Sequence, residues 1–354
     1  MIKTIQKSLL ILNLMVSGHC FSQSIDSPYE VGTWLGFRSG AISFTFDDGC
    51  SNQFAVALPM FNQYGFKMTL FTVINWGPNW TALQTAASNG HEIASHTMSH
   101  ANFGSTSYAD QNTELKNSQD AINSRISGQK CITIAYPNCV MGNMALCNMY
   151  YMAARGCSGV VEPSTPANFM NISSIVCGNL GSVQTPLDFK TKADAAAASK
   201  GWVVFLLHGI DNNNDGYSPV TSANLKGALD SLNSHKDKYW VATFGNVARY
   251  IKERNCVSVK EISNMDSSMT VRITDTLDNS IYNCPVTVRR PLPQNWTSVS
   301  IIQNSKALDV QIVNVNSVKY VMFDVVPDSG DITLKKMISR MFQVPMIFFL
   351  VSLT

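Results

Sequence analysis

Charge is scarce in this sequence. Asp, Glu, Lys and Arg make up 14% of the 354 residues, against roughly 25% in ordinary soluble domains. The 26 basic and 24 acidic side chains leave a formal charge of +2 with no dense basic run, which excludes the electrostatic footprint of a nucleic-acid binder. No CxxC pair occurs among the nine cysteines, so a thiolate zinc site is not expected. No apolar run reaches the ~20 residues of a membrane span. The apolar C-terminal stretch "MFQVPMIFFLVSL" falls short of that length and contains Pro345. No internal repeat of fixed period and no low-complexity segment appears, which excludes solenoids and arrays. Ser, Thr, Asn and Gln stand where charge is missing, a composition that suits an exported protein.

What is present begins with a leader. "MIKTIQKSLLILNLMVSGHCFSQS" sets Lys3 and Lys7 ahead of an apolar stretch from Leu9 to Val16, followed by small residues. This is the pattern of a secretory signal peptide, residues 1–22, with cleavage after Ser22, and it predicts a secreted, periplasmic or cell-envelope protein. His19 before Cys20 is a poor match to the small residue that lipoprotein processing wants. Loss of the leader leaves eight cysteines, an even number that permits disulfides in an oxidising compartment. The expected bridges are Cys139 with Cys147 and Cys256 with Cys284. Residues 337–354 are read as an apolar tail of unknown role.

From Ala41 to about Asn255, short β-rich runs alternate with helical patterns, which predicts parallel βαβ units in an α/β fold, as a layered sheet or a barrel. The expected strands are "AISFTF", "KMTLFTVI", "HEIAS", "CITIAY", "YMAAR", "WVVFLL" and the short "YWVATF"; "NQFAVALPMFNQY", "YADQNTELKNSQDAINSRI", "LKGALDSLNSH" and "GNVARYIKERN" read as helices. From Cys256 to about residue 336 the pattern changes to short alternating runs such as "SMTVRITDTL" and "KYVMFDVV", which predicts a small all-β, sandwich-like domain. The division is therefore 23–255 and 256–336.

Three stretches carry chemistry. In "AISFTFDDGC", Asp47 and Asp48 close an apolar run, and successive side chains of a continuing strand would face opposite ways. A bend at Gly49 would let both carboxylates reach one mouth at the strand's C-terminal end, where α/β folds keep their sites. "HTMSH" places His96 and His100 four residues apart, able to converge on one cation if the segment turns helically. "VVFLLHG" delivers His208 to the end of another apolar run. His91 and Glu92, just before "HTMSH", read as residues that brace the site.

In this order and at these separations, "TFDDG", "HTMSH" and "FLLHG" resemble the first, second and last motifs of the polysaccharide deacetylases, carbohydrate esterase family four. The resemblance covers roughly residues 35–255. It implies a distorted (β/α) barrel with one divalent metal ion in a surface groove, zinc above cobalt or nickel, acting on acetylated polysaccharide or oligosaccharide. By position it assigns Asp48, His96 and His100 to the metal, Asp47 to the general base and His208 to the general acid. Both N-acetyl substrates (chitin- or peptidoglycan-type glycans) and O-acetyl xylan fit that chemistry.

One motif departs. Where the family has an arginine followed by proline and an aromatic residue, this chain has "AYPNC", residues 135–139, so Asp47 lacks its usual partner. Arg155, at the end of "YMAAR", is the proposed substitute, since a cation beside a carboxylate keeps it ionised. Pro137 is expected to shape the groove wall, the Asn138 N–H to be an oxyanion donor, and Tyr136 or Leu206 to line the acetyl pocket. The missing arginine is also what favours the alternative reading, a non-catalytic carbohydrate-binding protein on the same fold.

Overall fold

A computed structural model describes residues 23–211 and 216–337. The expected leader at 1–22 and all but the first residue of the expected tail lie outside these. Two short strands, β1 (Ser24–Ile25) and β2 (Glu30–Val31), precede the main sheet. Its strands are β3 (Gly40–Asp47), β4 (Thr69–Thr72), β5 (Glu92–Ser95), β6 (Thr133–Ala135), β7 (Ala153–Arg155), β8 (Ile175–Val176), β9 (Trp202–Leu207) and β10 (Tyr239–Val241). They pair in parallel in the order β7-β6-β5-β4-β3-β9-β8, with β10 against β3. The sheet curls into a half-barrel, the architecture that the βαβ alternation predicts.

Helices α1 (Leu58–Tyr64), α2 (Trp80–Ser88), α3 (Tyr108–Arg125), α4 (Met144–Tyr150), α5 (Pro186–Ala198), α6 (Ser222–Asn233) and α7 (Phe244–Cys256) follow the strands. The phase of β3 shows how the layers form. Ile42, Phe44 and Phe46 enter the core shared with the helices, where Phe44 meets Phe61 of α1 and Phe189 of α5. The alternate residues Ser43, Thr45 and Asp47 therefore turn to the inner face. They are polar, yet each is buried.

The remaining strands are antiparallel or pair with antiparallel neighbours: β11 (Ser258–Met265), β12 (Ser268–Thr274), β13 (Val286–Pro291), β14 (Val299–Gln303), β15 (Lys306–Ala307), β16 (Val310–Val315), β17 (Val318–Val325) and β18 (Ile332–Lys336). They form sheets ordered β1-β11-β12-β18-β14-β15 and β16-β17-β13-β2. Val271, Ile273, Val288, Phe323 and Leu334 pack between them, continuous with Trp34, Phe71, Trp202 and the buried face of α7. The sandwich-like second region is thus present. Strands β1 and β2, ahead of the main sheet in the chain, pair with β11 and β13 of this region.

Both expected disulfides are corrected. Cys139 pairs with Cys157, Cα–Cα 5.7 Å, because the two follow the ends of adjacent parallel strands β6 and β7. Cys147 instead faces the core from α4 as a buried free thiol. Cys256 is disulfide-bonded, but Cys284 is a free thiol and is not its partner.

Candidate active site

Asp47 is the last residue of β3, and the chain turns at once: Asp48 has φ 73° and Gly49 φ 72°. The bend expected at Gly49 thus begins one residue earlier, and it brings the Asp48 carboxylate back to the mouth that Asp47 faces. Asp48 accepts left-handed backbone because short polar side chains tolerate it better than most. Gln53 fixes the turn from below, its Nε2 donating to the Asp47 carbonyl at 2.5 Å and to the His208 carbonyl at 2.9 Å. This buried side chain ties the ends of β3 and β9 together, and nothing in its sequence context marks it.

"HTMSH" does not form a helix. His96 continues β5, its N–H bonded to the Thr72 carbonyl at 2.9 Å, and the chain then reverses through left-handed residues Thr97 (φ 68°) and His100 (φ 61°). Glu114 of α3 pins the loop by accepting from the N–H groups of Met98 (2.8 Å) and Ser99 (2.9 Å) and from the Ser99 hydroxyl (2.7 Å). The two imidazoles converge all the same. His96 Nε2 lies 3.6 Å and His100 Nε2 3.7 Å from Asp48 Oδ1.

The ligand atoms of Asp48, His96 and His100 lie within 4.8 Å of one another, and no other group of three or more His, Cys, Asp or Glu among the described residues does so. His96 Nδ1 sits 2.9 Å from the Ala135 carbonyl, so Nδ1–H donates there and Nε2 presents its lone pair, the tautomer a metal ligand requires. Burial lowers the His96 pKa to about 4 and that of His100 below its ordinary value, which keeps both neutral. Burial, reinforced by the charge of Asp47, pushes Asp48 up to about 6. Its Oδ1 is buried with no hydrogen-bond partner. Two neutral imidazoles aimed at an orphaned carboxylate oxygen fit a divalent cation, and imidazole with carboxylate suits zinc.

Asp47 stands beside this cluster, 2% exposed. Arg155 Nη2 donates to its Oδ2 at 2.6 Å, and Nη1 reaches the Thr45 hydroxyl at 3.4 Å. Burial alone would raise the Asp47 pKa, but the Arg155 cation, with His96 and His208, holds it below the usual carboxylate range. Arg155 and Ala135, the first residue of "AYPNC", are register partners on β7 and β6. The guanidinium thus enters the inner layer from the neighbouring strand. His208 follows β9 and places Nε2 at 3.9 Å from Asp47 Oδ2 and 4.0 Å from Asp48 Oδ2.

The groove residues separate. Asn138 is exposed with φ 54°, and its turn is closed by the N–H groups of Cys139 and Val140, not its own. Pro137 is buried at that turn. Tyr136 does not line a pocket: it is 1% exposed, packs on Phe103 and donates its hydroxyl to the Met170 carbonyl. Leu206 is likewise buried, paired across the sheet with Thr45 below the mouth. Tyr136, one residue past β6, turns into the core shared with the helices, and Leu206 lies one residue short of the end of β9. His91 and Glu92 brace the opposite end of the barrel: Glu92 takes hydrogen bonds from Thr69, Thr133 and the Gly245 N–H at the start of α7. His91 accepts from the Met68 N–H and meets Asn62.

The strand ends of the curled parallel sheet thus gather two carboxylates, three imidazoles and a buried arginine at one mouth of an α/β fold. Residues 36–147 match the family model described as Polysaccharide deacetylase, which bears out the resemblance carried by "TFDDG" and "HTMSH"; Arg155 and His208 lie beyond the matched stretch. Over 343 residues the chain is 28% identical to a protein named Gellan lyase from Bacillus sp, covering 91% of this chain and 14% of that one. The chain thus spans about one seventh of that relative's length. Among solved structures, the Xyl-CE4 domain of a multidomain xylanase from the hindgut metagenome of Trinervitermes trinervoides is 19% identical, with TM-score 0.43, covering 59% of this chain and 89% of that one. A family 4 acetyl xylan esterase from Clostridium thermocellum, solved with a cobalt ion, is 18% identical with TM-score 0.42, covering 58% and 89%.

Proposed function

We propose that the chain is a secreted, metal-dependent hydrolase that removes acetyl groups from carbohydrate. Asp48, His96 and His100 would hold one divalent cation, zinc first and cobalt or nickel as alternatives. The observation that carries the reading is the convergence of those three ligand atoms beside a second carboxylate, Asp47, that is bonded to an arginine instead. The catalytic unit is placed within residues 23–255, with 256–336 as its companion and 1–22 as the export leader.

Such a cation, when bound, polarises the acetyl carbonyl and makes a coordinated water more acidic. The chain's own groups do the rest. Asp47 is the base: Arg155 occupies Oδ2, while Oδ1 is buried and has no partner, so Oδ1 is the atom that accepts a proton from the attacking water. His208, across the mouth, gives a proton from Nε2 to the departing amine or alkoxide. The N–H of Asn138 is the donor offered to the developing oxyanion.

Arg155 against Asp47 speaks against the non-catalytic alternative, which rested on the missing motif arginine. The name of the relative, Gellan lyase, agrees with polysaccharide as the substrate class. An acetate-release assay over chito-oligosaccharides, peptidoglycan fragments and acetylxylan, with and without a chelator, tests the reading. Release from one substrate class that stops on chelation is the expected result. No release from any of them would overturn it.

A further inference from the structure

A single buried amide grips both strands that carry the acid and the base. Gln53, 0% exposed, follows the Asp47–Asp48 turn and is anchored to it by its own N–H, which donates to the Cys50 carbonyl at 3.1 Å. Its –NH₂ group donates to two carbonyls, that of Asp47 at 2.5 Å and that of His208 at 2.9 Å. The two hydrogens of a planar amide stand in a fixed fork, so they set how far the end of β9 lies from the end of β3. Beside it, Asn52 Nδ2 donates to the Ile210 carbonyl at 2.8 Å, and the Val220 N–H closes the same loop from its other side onto the Gly209 carbonyl at 3.1 Å.

This hold on the main chain matters because the His208 ring has little of its own. Its Nδ1 is buried with no hydrogen-bond partner among the described residues, its Nε2 lies 3.9 Å from Asp47 Oδ2, and Tyr217 meets the ring only edge-on, 5.2 Å between centroids. Asp47 is better secured, since Arg155 bonds its carboxylate and its strand is paired on both sides by β4 and β9. We propose that Gln53 is a positioning residue, which fixes the His208 imidazole opposite Asp47 by holding the His208 carbonyl where no group holds the ring. The inference rests on the hydrolase reading and adds what sets its acid. When the C–N or C–O bond of the tetrahedral intermediate breaks, its electron pair stays on the departing nitrogen or oxygen, which takes the Nε2 proton of His208. Loosening Gln53 therefore weakens the step that needs this proton more than the attack that Asp47 assists.

The test compares the parent with Gln53→Met, which keeps the side chain's length and removes both donors, on acetylated chito-oligosaccharide, acetylxylan and p-nitrophenyl acetate. The p-nitrophenolate ion leaves without a proton, whereas the sugar amine or alkoxide does not. A displacement of about 1 Å can cost about 10²-fold, so Gln53→Met should lose about 10²-fold in kcat on the sugar substrate, with KM nearly unchanged, and at least about tenfold less on p-nitrophenyl acetate. Zinc content should match the parent's. No loss, an equal loss on all substrates, or a loss of zinc would overturn the proposal and leave the hydrolase reading intact. If Gln53→Met does not fold, Gln53→Asn, which keeps the amide but draws it back by one methylene, decides on the same readouts. If the parent releases no acetate at all, the hydrolase reading falls and crystal structures of the parent and Gln53→Met decide the positioning. A His208 ring displaced from Asp47 in the variant supports it, and an unmoved ring overturns it.

Discussion

Arg155 donates to Asp47 across the inner face of the barrel at 2.6 Å, with both residues almost wholly buried. A buried pair of this kind supports activity more clearly than stability, because taking two charges out of water offsets most of their attraction. Its removal from one side is another matter. Arg155→Ala should destabilise the fold by about 3–5 kcal/mol, the usual effect of orphaning a buried charge. It should also move the acidic limb of the pH–rate profile upward, because burial then acts on Asp47 without its main opposing cation. Denaturant titration and a pH series of acetate release measure both, and an unmoved limb would remove Arg155 from its role. Arg155→Lys should not rescue, since the pair needs the guanidinium's reach and fork.

Asp47→Asn separates binding from chemistry. The variant should bind one divalent cation as the parent does and release acetate more slowly by about 10²–10⁴, the range of a lost general base. Metal content by mass spectrometry and steady-state rates check it. A variant as fast as the parent would mean that Asp47 is not the base.

The Cys139–Cys157 bridge, spanning 18 residues, ties the loop carrying Asn138 to the segment just beyond Arg155. Replacing both cysteines with serine should lower stability by about 3 kcal/mol and should reduce kcat more than it raises KM. Urea midpoints and kinetics for parent and variant test this, and unchanged kcat would confine the bridge to stability.

Much of this site was legible because strand phase is strict. Runs such as "AISFTFDD" and "VVFLLHG" show where an apolar strand ends in an ionisable group, and Arg155 could be chosen because it closes the next strand. Gln53 and Glu114 were not legible, since a polar residue on a helix gives no sign that it reaches a loop many residues away. The turn that brings His96 and His100 together is not the helical one that their spacing allows, and left-handed Thr97 and His100 leave no sequence signal without glycine. Tyr136 and Leu206 are buried for different reasons, Tyr136 by turning into the helix-side core past the end of β6 and Leu206 by lying within β9, and three-residue β6 is too short for its phase to be read from the sequence. The bridge of Cys139 depends on which strands are neighbours, a property of topology that cysteine spacing does not carry. Strands β1 and β2 are too short for any periodicity, and they are placed by pairing partners more than two hundred residues away.

Glu253 in α7 gives the pH dependence of the fold. It is fully buried, its Oε1 accepts from the Cys284 N–H at 3.2 Å, and its Oε2 has no partner. Burial first, then Asp275, raises its pKa from 4.5 to about 8. The folded state therefore holds a proton that the unfolded chain releases, so the contribution is full below the unfolded value and is lost as pH rises through the folded one. The urea midpoint should fall between about pH 5 and about pH 8.5, and Glu253→Gln should flatten that fall. An identical slope in parent and variant would assign the pH dependence elsewhere.

The most direct measurement is a zinc titration of chelated, dialysed protein with acetate release as the readout. Activity should be absent at the start, rise linearly and saturate at one equivalent per chain, and His100→Ala should abolish that saturation. Full activity in the chelated protein, or a titration that His100→Ala leaves unchanged, would contradict a cation held by Asp48, His96 and His100.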